Sequence, residues 1–170
     1  LRSMDTLSMF SKETQAHLIS HIEFDSDKSI HDLFSRVQPD IVINCIGLVK
    51  QLSSSKDPLA ALPINSLLPH RIAHICKTLG CRLVHISTDC VFSGKRGMYT
   101  EEDMPDSLDL YGTSKRLGEI EYPNTITLRT SIIGQELKGC RSLIDWFLSQ
   151  KGVIRGYNKA IFSGLPTVMI

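Results

Sequence analysis

The chain has 170 residues, a length typical of one domain, and 42% of them are apolar, which is enough to build a sizeable core. Nineteen Lys and Arg residues against eighteen Asp and Glu residues give a net charge of +1, which argues against nucleic acid or an anionic membrane surface as a partner. The five cysteines form no C-x-x-C pair, so we expect reduced thiols in a cytoplasmic protein rather than a disulfide scaffold or a structural zinc site.

The first part of the chain predicts a strand, a helix and a second strand. The alternation of Ile22 and Phe24 weakly indicates a strand over residues 20–24. The helical spacing of apolar residues predicts a helix over residues 29–37. A β-branched apolar run then predicts a buried strand over residues 40–47.

Helical signals dominate the next segment. Asp57 and Pro58 are typical of the N-cap and first position of a short helical turn. The apolar spacing predicts a longer helix over residues 66–79, with Pro69 in its first turn and Gly80 as its C-cap.

The second half of the chain repeats the alternation of strands and helices. We predict strands over residues 82–88 and 125–130 and helices over residues 111–121 and 142–150. The polar stretch over residues 93–110 is long for a connection inside a domain, which favours either a functional loop or a solvated surface excursion.

The order of these elements predicts an α/β fold. Alternating strands and helices favour right-handed βαβ units and a doubly wound parallel sheet that helices cover on both faces. Ligands of such sheets bind beyond the carboxyl ends of the strands, so functional side chains should lie just after the strands.

A tyrosine and a lysine lie four residues apart at the start of the predicted helix 111–121. One helical turn places Tyr111 and Lys115 on the same face, and a nearby ammonium lowers the pKa of a phenol. A tyrosine in that setting can exchange a proton near neutral pH. Taken alone, this spacing is more often an ordinary surface pair.

Two strand ends supply further candidate groups. The Thr88 hydroxyl, opposite Tyr111, is placed to hold a carbonyl oxygen while a hydride arrives, although a Ser/Thr-rich strand end also suits a simple turn. The small residues over 44–47 let a flat or phosphorylated ligand approach the backbone.

Together these motifs resemble the extended short-chain dehydrogenase/reductases, and among them the dTDP-4-dehydrorhamnose reductase-like sugar-nucleotide reductases. The resemblance implies a Rossmann-like doubly wound sheet, truncated at both ends. It further implies a partial NAD(P)-binding domain over residues 1–155 and the start of a substrate-binding region over residues 156–170. The matching stretches, in the family's order, are 39–44, Asn65, 86–89 with 91–92, Gly94, 99–101, 111–115 with 118–119, and 128–131.

The resemblance implies that four residues carry catalysis. Tyr111 would donate the proton to the ketone oxygen, and Lys115 would lower the Tyr111 pKa and bind the nicotinamide ribose. Thr88 would hydrogen-bond the substrate oxygen. Asn65 would support a proton path behind Lys115, although an asparagine there also suits a helix N-cap.

The sugar pocket is where the sequence departs from the family pattern. Thr88, Asp89 and Cys90 would bind the substrate, and Cys90 stands where the family usually has tyrosine. Ile132 stands where the family usually has tryptophan. Both departures weigh against the rhamnose precursor as the substrate and leave the reductase class intact.

The resemblance also implies NADPH or NADH as the cofactor. Asp25 would meet the adenine ring or serve as a turn residue, and Arg2, at the place of a basic residue that selects a 2′-phosphate, favours NADPH. The family's glycine-rich turn does not occur in this sequence, so we expect the first βα unit to precede Leu1. The residues lining the ribose, pyrophosphate and nicotinamide would be Asn44, Cys45, Ile46, Gly47, Tyr111, Lys115, Thr130 and Ser131.

These expectations favour an NAD(P)H-dependent reductase of a keto nucleotide sugar in surface polysaccharide biosynthesis, with a second copy of the chain as a further partner. Two alternatives remain open: an epimerase or dehydratase on the same scaffold, and a non-catalytic NAD(P)-binding regulatory subunit. Dehydratases of this group carry several acids after the strand-end hydroxyl, whereas only Asp89 follows Thr88, which favours reduction.

Overall fold

The computed structural model describes residues 8–136 and 142–170, which fall into two compact units. The larger unit comprises Glu23–Thr130, and the smaller unit comprises Leu1–Ile22 with Ser131–Ile170. The larger unit contains every candidate site residue except Ser131, and Arg2 lies outside the described residues. The predicted boundary at residue 155, between an NAD(P)-binding domain and a substrate-binding region, stays a prediction.

Helices and strands alternate along the larger unit, as the sequence predicts. Within the described residues, the helices are α1 (Lys12–Ala16), α2 (Asp27–Val37), α3 (Pro58–Ala61), α4 (Leu68–Leu79), α5 (Leu110–Leu117) and α6 (Leu143–Ser149), and the strands are β1 (Ile41–Asn44), β2 (Arg82–Ile86), β3 (Thr125–Leu128), β4 (Ile132–Ile133) and β5 (Leu165–Pro166). None of these helices combines the length and the apolarity needed to cross a bilayer.

The larger unit is built on a three-stranded parallel sheet in the order β1-β2-β3. Ile41 pairs with Arg82, and Leu83 pairs with Thr125, so the three strands end at a common edge. This arrangement confirms the predicted parallel α/β architecture. In the smaller unit, β4 and β5 form a separate parallel pair.

The core lies on one face of the sheet. Leu83 of β2 is buried there with Ile30 and Phe34 of α2 and with Ile72 and Cys76 of α4. Burial of these side chains provides the main driving force for folding of this unit. The opposite face carries exposed apolar side chains in the described structure: Ile41, Ile43, Ile126 and Leu128. The sequence predicts helices on both faces of the sheet, but no helix covers this second face among the described residues.

One long helical segment replaces the predicted helix 66–79. Asp57 caps α3 by accepting a hydrogen bond from the Leu59 N–H at 3.0 Å, as its sequence predicts. The chain then continues through a π-helical stretch, Leu62–Leu67, into α4, which ends at Gly80 with φ +75°. The predicted start at residue 66 was wrong because the wider π turn carries the helix past two prolines that lack an N–H donor.

Two other predicted elements differ from the structure. Residues 20–24 are not a strand, because His21 has φ +59° and a turn follows it. The helix predicted over residues 111–121 stops at Leu117. There the chain turns so that Thr127 can hydrogen-bond both the N–H and the carbonyl of the buried Ile120, each at 3.0 Å.

Candidate active site

Thr88 follows β2 and faces both a turn and a neighbouring helix. Its Oγ1 accepts a hydrogen bond from the Cys90 N–H at 3.1 Å, capping the short turn Asp89–Val91, and its hydroxyl donates to Asp89 Oδ1 at 3.3 Å. Its side chain also lies close enough to Tyr111 to oppose the rise in that residue's pKa. The turn interpretation and the site interpretation of Thr88 are therefore compatible.

Tyr111 lies in the first turn of α5, and the N-cap of that helix is Asp109. Burial raises the pKa of Tyr111, whereas the nearby side chain of Thr88 and the charge of Lys50 oppose this shift. The predicted lowering of this pKa by Lys115 was wrong for this structure, because the cation that acts on the phenol is Lys50, and removing the phenol from water outweighs its effect. Tyr111 is accordingly a protonated phenol, the form that a proton donor requires.

Lys115 lies one turn further along α5 and is only 5% exposed. Its Nζ donates to the Ile86 carbonyl, at the carboxyl end of β2, at 2.8 Å. Burial lowers its pKa to about 8. A Cβ added to Gly47 would lie 3.8 Å from Nζ, so the ammonium faces the backbone of the segment after β1.

Asn65 connects that segment to α5. It is fully buried inside the π-helical stretch, where its Oδ1 accepts from the Leu48 N–H at 2.8 Å. Its Nδ2 donates to the Leu48 carbonyl at 3.2 Å and to Ser114 Oγ at 3.1 Å, and Ser114 donates to the Tyr111 carbonyl at 2.9 Å. The N-cap alternative was therefore wrong, and the amide instead holds the helix that carries Tyr111 and Lys115.

The side chain of Asn44 is used inside the fold. Its Oδ1 accepts from the Ile46 N–H at 3.0 Å, and its Nδ2 lies 3.1 Å from His85 Nδ1. Both residues are buried, and burial lowers the pKa of His85 to about 4. Since the neutral ring then accepts at Nδ1, its proton lies on Nε2, which has no hydrogen-bond partner among the described residues.

The other predicted cofactor residues differ in exposure. Cys45 is exposed, Ile46 packs against the core, and Gly47 is half-buried. Asp25 lies in an exposed turn before α2, and its carbonyl accepts a hydrogen bond from Arg71 at 2.7 Å. The turn interpretation of Asp25 is thus confirmed, and its adenine role stays a prediction. Thr130 and Ser131 are half-buried and belong to different units.

Two charged residues at this edge were missed by our sequence analysis. Lys50 Nζ donates to Asp109 Oδ2 at 2.7 Å, and Asp109 Oδ1 accepts from the Gly112 N–H at 2.7 Å. An acidic residue just before a helix is a recognisable N-cap signal, so Asp109 could have been found. Nothing in the local sequence pairs Lys50 with a residue 59 positions away.

A protein-family comparison covers most of the chain. The family model described as "RmlD substrate binding domain" matches residues 4–139. This range includes the whole larger unit, and with it the residues of β1, β2, β3 and α5 that form the candidate site.

Curated relatives match a part of their own length. "Spore coat polysaccharide biosynthesis protein SpsK" of Bacillus subtilis is 39% identical over 93 residues, which are 54% of this chain and 33% of that protein. "Methionine adenosyltransferase 2 subunit beta" of Rattus norvegicus is 34% identical over 92 residues, which are 54% of this chain and 28% of that protein. The chain thus spans about a third of the length of these relatives.

Solved structures share the fold. A hypothetical dTDP-4-dehydrorhamnose reductase from Sulfolobus tokodaii is 30% identical, with a TM-score of 0.64 over 69% of this chain and 44% of that one. The dTDP-4-dehydrorhamnose reductase of Bacillus anthracis, solved in complex with NADP, is 25% identical, with a TM-score of 0.64 over 76% of this chain and 50% of that one. The Rossmann-like fold class predicted from the sequence is thereby confirmed.

Proposed function

The chain belongs to the RmlD substrate binding domain family, and from this premise we propose that it carries the proton-transfer centre of an NAD(P)H-dependent reductase of keto nucleotide sugars. The observation that supports the proposal is at the carboxyl end of β2, where the Lys115 ammonium contacts the Ile86 carbonyl and Thr88, two residues further on, lies near Tyr111. This is the edge at which parallel α/β sheets bind their ligands.

Tyr111 and Thr88 would act on the ketone oxygen. NAD(P)H, when bound, would supply the hydride to the carbonyl carbon. The Thr88 hydroxyl, which donates to Asp89 in this structure, would turn to donate a hydrogen bond to the oxygen, and the protonated Tyr111 would transfer its proton to the same atom. The resulting phenolate would be stabilised by the ammonium group of Lys50, whose charge already acts on Tyr111.

The buried lysine supports a cofactor on the β1 side of this centre. Lys115 uses one N–H on the Ile86 carbonyl, so two further donors suit the hydroxyls of a ribose next to Gly47. Cys45, Ile46, Gly47 and the backbone of Asn44 would line that cofactor, together with Asp25 and Thr130. The cofactor role of Ser131, which belongs to the smaller unit, stays a prediction. The pyrophosphate cradle would come from a glycine-rich turn that this sequence does not contain.

Asn65 would act as a positioning residue. Through Leu48 and Ser114 it fixes the distance between the cofactor segment and α5, and it would support a proton path to Lys115. Asp89 and Cys90 would border the sugar. A cytoplasmic enzyme of surface polysaccharide biosynthesis agrees with the relative named for spore coat polysaccharide biosynthesis, and NADPH agrees with the NADP complex.

The test is NADPH and NADH oxidation by the full-length protein with a panel of 4-keto nucleotide sugars. We expect oxidation of the cofactor at 340 nm with at least one member and formation of the corresponding alcohol. Conversion of the sugar without net consumption of cofactor would instead indicate an epimerase or dehydratase, which returns or retains the hydride.

A regulatory role is the second candidate function. The relative named as a subunit of methionine adenosyltransferase favours it, because a subunit can bind cofactor without catalysing reduction. The same assay separates the two functions. Tight NADPH binding with no turnover on any keto sugar would support the regulatory role and contradict the reductase.

A further inference from the structure

A pocket of about 250 Å³ opens in the larger unit beside the proposed proton-transfer centre. Cys90 joins the two, since it belongs to the pocket wall and its N–H hydrogen-bonds Thr88. The lining residues include two ammonium groups and one carboxylate, and a second carboxylate, Asp106, accepts two hydrogen bonds from the lining residue Ser93, each at 2.6 Å. The polar side chains of the wall are Lys50, Cys90, Ser93, Lys95, Ser107 and Asp109.

The carboxylate in the wall is already engaged. One oxygen of Asp109 accepts from the Gly112 N–H, and the other accepts from Lys50, each at 2.7 Å. These two bonds lower the pKa of Asp109, which therefore stays charged. Asp109 thus holds the ammonium in place at the start of α5.

Lys50 keeps capacity for a ligand. Its side chain is 56% exposed, and Asp109 is its hydrogen-bond partner among residues 8–136 and 142–170. An ammonium has three N–H donors, so two remain. Lys50 lies in the same pocket wall as Cys90, whose N–H hydrogen-bonds Thr88, and its charge acts on Tyr111.

We infer that Lys50 is a specificity-determining residue that binds an anionic oxygen group of the substrate, a phosphate or a carboxylate, in this pocket. The inference rests on the proposed function, because it takes a nucleotide sugar as the ligand. An anionic oxygen would gain more than a neutral sugar hydroxyl from the remaining N–H donors of Lys50, because a charge-assisted hydrogen bond with ionised partners is the stronger one. The anion is either the diphosphate of the nucleotide or a carboxylate on the sugar.

The experiment measures binding by calorimetry to the full-length protein with NADP⁺ present. The probes are UDP, dTDP, UDP-glucose and UDP-glucuronate, of which the last two differ by one carboxylate. The variants are Lys50→Met, Lys50→Arg as the conservative rescue, and Lys77→Met as a control at an exposed position on α4. Lys50→Gln replaces Lys50→Met if the latter does not fold.

We expect the loss of one charge-assisted hydrogen bond to weaken binding by about tenfold or more in Lys50→Met, with Lys50→Arg within about threefold of the unaltered protein. An equal loss for UDP or dTDP and for both sugars identifies the diphosphate as the anion. A loss confined to UDP-glucuronate identifies the sugar carboxylate. Lys77→Met should leave all dissociation constants unchanged.

The inference is overturned if no probe binds the unaltered protein, or if Lys50→Met binds every probe as tightly as Lys77→Met does. Because binding is measured without turnover, this result is separate from failure of the proposed reduction. A protein that reduces keto sugars with Lys50-independent binding contradicts this inference alone, and Lys50-dependent binding without turnover contradicts the reduction alone.

Discussion

Lys115 is a cation held almost entirely out of water. Its partner is a neutral carbonyl oxygen, that of Ile86, so the charge is stabilised by a dipole and not by a carboxylate in direct contact. Desolvation therefore dominates and lowers its pKa to about 8. Such an arrangement costs stability at neutral pH and is typical of a residue kept for chemistry.

The lowered pKa of Lys115 makes the free energy of unfolding depend on pH, and the direction of this dependence follows from the direction of the shift. The pKa of Lys115 falls from 10.5 unfolded to about 8 folded, so between these values the unfolded state binds more protons and stability rises with pH. We expect the free energy of unfolding to gain about 2 kcal/mol from this residue between pH 7 and pH 10.

Urea unfolding of the full-length protein and of Lys115→Met across this range measures the gain, with Lys77→Met as the control. Lys115→Met should lack the rise. An identical pH profile in both variants would show that the ammonium is well solvated in the folded state.

Residue-level prediction from sequence succeeded where a motif fixes local geometry. Tyr111 and Lys115 share a helical face because they are four residues apart, and Asp57 caps a helix because it precedes a proline. The direction of the Tyr111 pKa was missed, because burial depends on tertiary packing that no local pattern encodes. The Lys50–Asp109 pair was missed for the same reason.

At the level of elements, α5 is positioned by its close approach to the π-helical stretch. A Cβ on Gly118, at the end of α5, would lie 1.9 Å from the Asn65 carbonyl oxygen. Because that atom is backbone, the helix and the stretch would have to separate. The glycine is thus required by packing, since its φ of −93° suits any residue.

Gly118→Ala should therefore destabilise the fold by about 1–3 kcal/mol through overpacking. It should also reduce turnover, because displacement of α5 moves Tyr111 and Lys115. Gly156→Ala is the matched control, since no atom lies within 4 Å of its added Cβ. Equal stability of the two variants in chemical denaturation would contradict the close packing of α5 against Asn65.

A hydrogen-bond network around Glu119 connects α5, β2 and β3 next to the site. Glu119, just after α5, accepts a hydrogen bond from Ser87 at 2.8 Å and two from Arg129, each at 2.9 Å. Ser87 follows β2 and Arg129 follows β3, so one largely buried carboxylate joins the ends of two strands to the helix. The sequence predicts these strands and this helix, but the interaction becomes visible only in three dimensions.

For the molecule as a whole, strand and helix alternation was sufficient to predict the parallel sheet and the edge at which the site lies. The π-helical stretch was not predictable from apolar spacing, because a helix of either kind presents a similar face over so few residues. The second sheet face also differed from expectation, with Ile43 65% exposed. Parallel strands are ordinarily covered on both faces. The alternation of strands and helices in the sequence therefore predicts a covered surface here, and the structure shows an exposed one.

The central claim is that Tyr111 donates the proton that completes ketone reduction beside Thr88 and Lys115. The most direct measurement is single-turnover NADPH oxidation by Tyr111→Phe in the full-length protein with a keto nucleotide sugar, alongside NADPH affinity. Tyr122→Phe is the control, because that hydroxyl contacts His70 outside the site. We predict a loss of about 10²–10⁴-fold in rate for Tyr111→Phe with cofactor affinity retained. A Tyr111→Phe rate within a few-fold of the unaltered protein would contradict the account.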